Sequence, residues 1–174
     1  MKKLCLSICL FVGAMHINGQ YCTLGGPSSN ADSNVESVIL TGVSGSINHV
    51  GCPSQIGVEV YLNESTTLSA GSSYSLQVDF GTCGGNFAGA GTVWIDFDQS
   101  GSFDATEMVY MDQTTVVGPR TVTGSITIPP TATVGNTVMR VICAEGYSAT
   151  SFNPLTPCLA YGYGETEDHL INII

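Results

Sequence analysis

Ser73-Tyr74-Ser75-Leu76-Gln77-Val78-Asp79-Phe80 alternates without a break, with Tyr74, Leu76, Val78 and Phe80 on one side of an extended chain and polar residues on the other. Successive side chains of a strand point to opposite faces, so this run reads as a strand with one apolar and one wet face. Other β-branched or alternating runs, set off by Gly, Asn, Ser or Pro, fall at 35–43, 57–62, 92–97, 108–111, 121–128, 137–143 and 169–174. No long stretch carries a helical apolar stripe free of Gly and Pro, so helices are expected to be minor. Short strands bounded by turn signals predict an all-β fold, an antiparallel β-sandwich. The Gly-rich segment from Gly81 to Gly91 and the segment from Gly146 to Tyr163 read as loops.

The chain has 174 residues, 43% apolar and 10% charged, enough for one packed domain. Against 14 acids stand only Lys2, Lys3, Arg120 and Arg140, for a net charge of −10. A surface so poor in positive charge repels phosphate backbones and anionic lipid, which excludes a nucleic-acid or membrane-surface role. Lys2 and Lys3 precede an apolar stretch from Leu4 to Met15, the build of a secretory signal peptide and too short to span a bilayer. The expected organisation is a signal peptide over 1–19 and a domain over 20–174, exported, with no membrane insertion after cleavage. Of seven cysteines, Cys5 and Cys9 leave with the signal. Cys22, Cys52, Cys83, Cys143 and Cys158 remain, an odd set whose spacings suit two disulfides and one thiol rather than C-x-x-C zinc or redox chemistry.

Asp96-Phe97-Asp98-Gln99-Ser100-Gly101-Ser102-Phe103-Asp104-Ala105-Thr106-Glu107 has the spacing of a twelve-residue, EF-hand-like calcium loop. Ca²⁺ takes six to eight oxygens, so the chain must curl around it; Gly101 permits the turn and Glu107 closes the shell. Asp96, Asp98, Ser100 and Glu107 are the expected side-chain ligands. Ser102 would offer its carbonyl, and Asp104 would act directly or through water. The flanks read as strands, so the loop occurs here without the EF-hand's helices. A solvated acidic turn that binds nothing is the alternative.

A second acidic cluster, Glu165, Glu167 and Asp168, precedes the last run. Period-2 geometry puts Glu165 and Glu167 on one side and Asp168 on the other. The cluster reads as a solvated approach to an edge strand, or as part of the calcium site or of a second one.

These segments resemble the GEVED domain of secreted bacterial proteins of the Bacteroidota type. Gly164-Glu165-Thr166-Glu167-Asp168 is similar to the Gly-Glu-Val-Glu-Asp string that names the family. Trp94 through Phe103 resembles its W-x-D-x-N-x-D-G-x-F segment, and Pro129 through Val141 its P-x-x-A-x-x-G-x-T-x-M-R-V segment. Tyr21-Cys22 and Pro157-Cys158 extend the resemblance over almost the whole chain after the signal. Asp98, Ser100, Thr166 and His169 depart from the family pattern, and the neutral Ser100 is a weaker ligand than the usual Asp. The resemblance implies an all-β accessory module of exported proteins with no settled activity of its own. It also brings Cys22 to Cys158, in keeping with the closeness of chain ends in sandwiches. Cys52 and Cys83 would then pair, leaving Cys143 as a small apolar residue in its strand.

Enzyme chemistry finds little support. Only His49 and His169 survive export, and neither H-E-x-x-H nor G-x-S-x-G occurs. His49 reads as a turn or surface residue. The expected function is a secreted, non-catalytic calcium-binding accessory or adhesion module that contacts an extracellular protein or polysaccharide, its oligomeric state open. The alternatives are a carbohydrate-binding module using an exposed Trp94, a residue that otherwise reads as core, and a secreted hydrolase using Glu165 and Glu167.

Overall fold

A computed structural model describes residues 21–112, 116–147 and 155–174. The expected signal peptide lies outside them. The strands are β1 (Gly26–Ser29), β2 (Ser33–Thr41), β3 (Ser44–Val50), β4 (Val58–Leu68), β5 (Ser73–Thr82), β6 (Ala88–Ile95), β7 (Met108–Met111), β8 (Val116–Val117), β9 (Arg120–Thr127), β10 (Gly135–Glu145) and β11 (Ala160–Ile173). Among the described residues the only helical element is a 3₁₀ turn, Ala105–Glu107.

The strands join in the order β7-β6-β10-β11-β4-β3-β2-β5-β9, with β1 beside β11 and β8 beside β6. This sheet folds over on itself. Val109 and Tyr110 of β7 and Val122 of β9 line one small apolar pocket, so the two ends of the sheet nearly meet and the shape approaches a barrel. The expectation of an all-β fold holds, but a purely antiparallel sandwich does not, because β11 runs parallel to both β4 and β1. A period-2 pattern states which face a strand buries, not which neighbour it takes, so the parallel pairs left no mark in the sequence.

Leu76, Val78 and Phe80 of β5 point inward with Val35, Val38, Leu40, Val93, Ile95, Met139, Val141, Ile171 and Ile173 to form the main core. A smaller apolar cluster lies on the other face of β6 and β10, where Trp94, Ile142 and Ala144 meet Leu155 and Tyr161. It is roofed by chain that the Cys22–Cys158 disulfide pins down, and a second bridge joins Cys52 to Cys83. Both match the expected pairing. Cys143 is buried as a free thiol, and burial pushes it up to about 12.

Candidate functional site

β6 ends at Ile95, and the chain turns out of the sheet at Asp96, whose side chain is fully buried. Backbone N–H groups of Ser100 and Gly101 donate to its two oxygens at 3.2 and 3.0 Å, and the Tyr21 hydroxyl donates to Oδ2. This places the carboxylate inside the turn. Gln99 and Gly101 take φ values of 59° and 80°, the left-handed conformations that reverse the chain. The 3₁₀ turn then returns Glu107 to the same spot, where its Oε1 accepts from the Phe97 N–H at 2.7 Å and its Oε2 from the Asp104 N–H at 3.0 Å. Burial raises the Glu107 carboxyl above its ordinary range despite these bonds, with the Asp96 charge adding to the rise. Hydrogen bonds from Ser100 lower that of exposed Asp98.

Ligand oxygens of Asp96, Asp98 and Glu107 all lie within 4.8 Å of one another. The other expected ligands are engaged elsewhere. Ser100 Oγ lies 3.0 Å from Ser102 Oγ and 3.3 Å from the Ser102 carbonyl, and Asp104 caps the 3₁₀ turn by accepting from the Thr106 N–H at 2.7 Å. Three acidic carboxylates with one exposed approach are hard donors suited to Ca²⁺ or Mg²⁺.

Glu165, Glu167 and Asp168 are not a solvated approach to an edge strand. β11 starts at Ala160 and runs between β10 and β4, so all three are buried. The alternation across the strand is as expected. Asp168 faces the small cluster and holds the fully buried Arg140 by two bonds of 2.7 Å, while the same guanidinium donates to the Pro157 carbonyl at 2.8 Å and to Cys22 Sγ at 3.1 Å. Glu165, Glu167 and His169 face the barrel interior beside Glu59 and Tyr61 of β4. Glu165 Oε2 accepts from the Val35 N–H, Glu167 Oε2 lies 2.8 Å from His169 Nε2, and Tyr61 donates to Glu59 at 2.8 Å. Burial raises both the Glu165 and Glu167 carboxyls, the charge of Glu167 adding to the rise at Glu165 and that of Glu59 to the rise at Glu167, and burial lowers His169 to about 4.

A family model for the GEVED domain matches residues 91–172, from β6 through both acidic segments nearly to the chain end. The chain carries a GEVED domain. No curated protein matches it. Within the GEVED domain the namesake string is therefore an interior element. Gly164 takes a φ of +141°, and a Cβ there would stand 2.0 Å from the Cys143 carbonyl, so only glycine fits.

Sequence reasoning missed Tyr21, Glu59 and Tyr61 as site neighbours and read His49 as a turn or surface residue. His49 lies on β3 with its ring 3.8 Å from that of Tyr61 and its Nε2 3.5 Å from Glu167 Oε1. No local spacing links these residues, because β3, β4 and β11 meet only in the folded sheet. Trp94 is 6% exposed, and its indole N–H donates to Thr92 at 3.1 Å. It belongs to the small core.

Proposed function

We propose that this protein is a secreted, non-catalytic accessory or adhesion module that binds Ca²⁺ in the loop 96–107 and contacts an extracellular protein or polysaccharide. The observation that carries the reading is the convergence of Asp96, Asp98 and Glu107 within 4.8 Å. In this reading those carboxylates hold the ion, Ser100 and Asp104 turn toward it from their present hydrogen bonds, and Ser102 supplies its carbonyl. Bound Ca²⁺ would relieve the repulsion between the three carboxylates and stiffen the turn between β6 and β7.

Two disulfides are compatible with an oxidising, extracellular setting, and no helix among the described residues is long and apolar enough to cross a membrane. Burial of Glu165 and Glu167 supports a non-catalytic role, since a polymer chain cannot reach them. Burial of Trp94 likewise favours contact elsewhere than a tryptophan platform. A groove of about 570 Å³ on the outer face of β2, β5 and β9, where Glu36, Gln77, Asp79 and Arg120 stand beside the apolar Ile39 and Val50, offers hydrogen-bonding groups for such a contact.

Scanning calorimetry in EDTA and then in about 10 mM Ca²⁺ tests the reading. For a dissociation constant of about 10⁻⁴ M, that concentration adds roughly 2.7 kcal/mol, and Asp98→Ala abolishes the gain. Equal melting temperatures in the two buffers would exclude the calcium site.

A further inference from the structure

The barrel interior is divided. Ile47, Leu68, Ile171 and Ile173 fill one part with hydrocarbon, whereas Glu59, Glu165, Glu167 and His169, all buried, lie in line with them on the same strand faces. Neither arginine nor lysine faces this cluster. The described residues contain no lysine, and both arginines are committed elsewhere, Arg140 to Asp168 and Arg120 to Asp112. Three interior glutamates thus have no arginine or lysine partner. Moreover, Glu165 Oε1, Glu167 Oε1 and His169 Nδ1 are buried with no hydrogen-bond partner, an arrangement costly enough to require explanation.

We propose that this polar part of the interior is a second divalent-cation site, separate from the loop, in which Glu167, Glu165 and His49 ligate a transition dication of the zinc class. His49 Nε2 and Glu167 Oε1 stand 3.5 Å apart, close to the roughly 3.3 Å that separates two ligands on a tetrahedral zinc with bonds of about 2.0 Å. His169 Nε2 lies 2.8 Å from the other oxygen of Glu167, the partnership that orients a ligating carboxylate and leaves Oε1 facing His49. Glu165 Oε1 is the third ligand and moves toward the pair on binding, since only the loop trio already lies mutually within 4.8 Å among the described residues. An imidazole among the ligands favours zinc over calcium, whose ligands are oxygens. The His49 side chain is 14% exposed, which gives an ion a way in from the surface.

The full chain, free of any affinity tag, is stripped with EDTA, returned to saturating Ca²⁺ and titrated with Zn²⁺ alone by calorimetry, with bound metal counted by mass spectrometry. One zinc per chain is expected. His49→Ala and Glu167→Gln should each weaken it by at least about 10-fold, the loss seen even for outer partners of metal ligands. Asp98→Ala should leave zinc binding unchanged, so failure of the calcium reading and failure of this one are read separately. Circular dichroism checks folding, and the partly exposed His49 keeps the test decisive if Glu167→Gln does not fold. Zinc held equally well by His49→Ala would mean a different site and overturn the proposal. So would absence of bound zinc together with an infrared band of a protonated carboxylic acid that Glu165→Gln removes, because protons would then balance the cluster.

Discussion

Arg140 shows how one side chain can tie remote parts of the chain together. Its guanidinium grips Asp168 of the neighbouring strand, the Pro157 carbonyl and Cys22 Sγ, and lies 5.2 Å over the ring of Phe103 in the acidic loop. Phe103 in turn packs 5.1 Å from Tyr21, whose hydroxyl holds Asp96. Removing one partner of a fully buried ion pair strands the other, so Arg140→Met should cost about 3–5 kcal/mol, measured by urea unfolding. Asp168→Asn together with Arg140→Met should recover part of that loss, because the uncompensated charge disappears with its partner. Neither residue's role follows from its position in the sequence. Arg140 reads there as one polar residue in an apolar strand, and its partners at Cys22, Phe103, Pro157 and Asp168 are scattered along the chain.

Elements differ in how faithfully their pattern reports their orientation. β5 buries Leu76, Val78 and Phe80 as its alternation dictates. β4 begins the other way round: Glu59 is 3% exposed and faces inward, while Val60 and Leu62 are 54% and 45% exposed. The cause is its parallel register with β11, where Ile171 and Ile173 lie in the core and period-2 geometry turns Glu167 and Glu165 inward with them. An irregularity between Tyr61 and Ser65 then changes the parity, so that Leu68 points inward again. A matched pair of substitutions tests this inversion. Leu76→Ala should cost about 2–5 kcal/mol, whereas Leu62→Ala should stay within about 0.5 kcal/mol, both from denaturant midpoints. Comparable losses would mean that the early part of β4 is oriented as its apolar residues suggest.

For the molecule as a whole, the Cys22–Cys158 bridge closes a loop of 136 residues and lays the segment bearing Tyr21 against the acidic loop. Replacing both cysteines with Ser should lower stability by about 4–5 kcal/mol in the chain-entropy model. The same variant should bind Ca²⁺ more weakly, because Tyr21 is no longer held at Asp96; titration of the variant beside Tyr21→Phe separates the tether from the hydroxyl. A variant that melts with the native protein and binds Ca²⁺ equally would show that the bridge is dispensable to both. Several features were legible in the sequence alone: the all-β class, most strands, the two cysteine pairs with Cys143 left over, and the convergence of Asp96, Asp98 and Glu107. Each rests on short-range periodicity and turn chemistry, or on family motifs in which distant positions recur together. β3 escaped notice because Ser44-Gly45-Ser46 at its start carries no apolar alternation. The parallel placement of β11 beside β4 and the enclosure of Glu59, Glu165, Glu167 and His169 were decided only by the tertiary structure. Strand partners are chosen by how the whole sheet closes, and a carboxylate has the same local signature whether its strand ends in water or at the centre of a barrel.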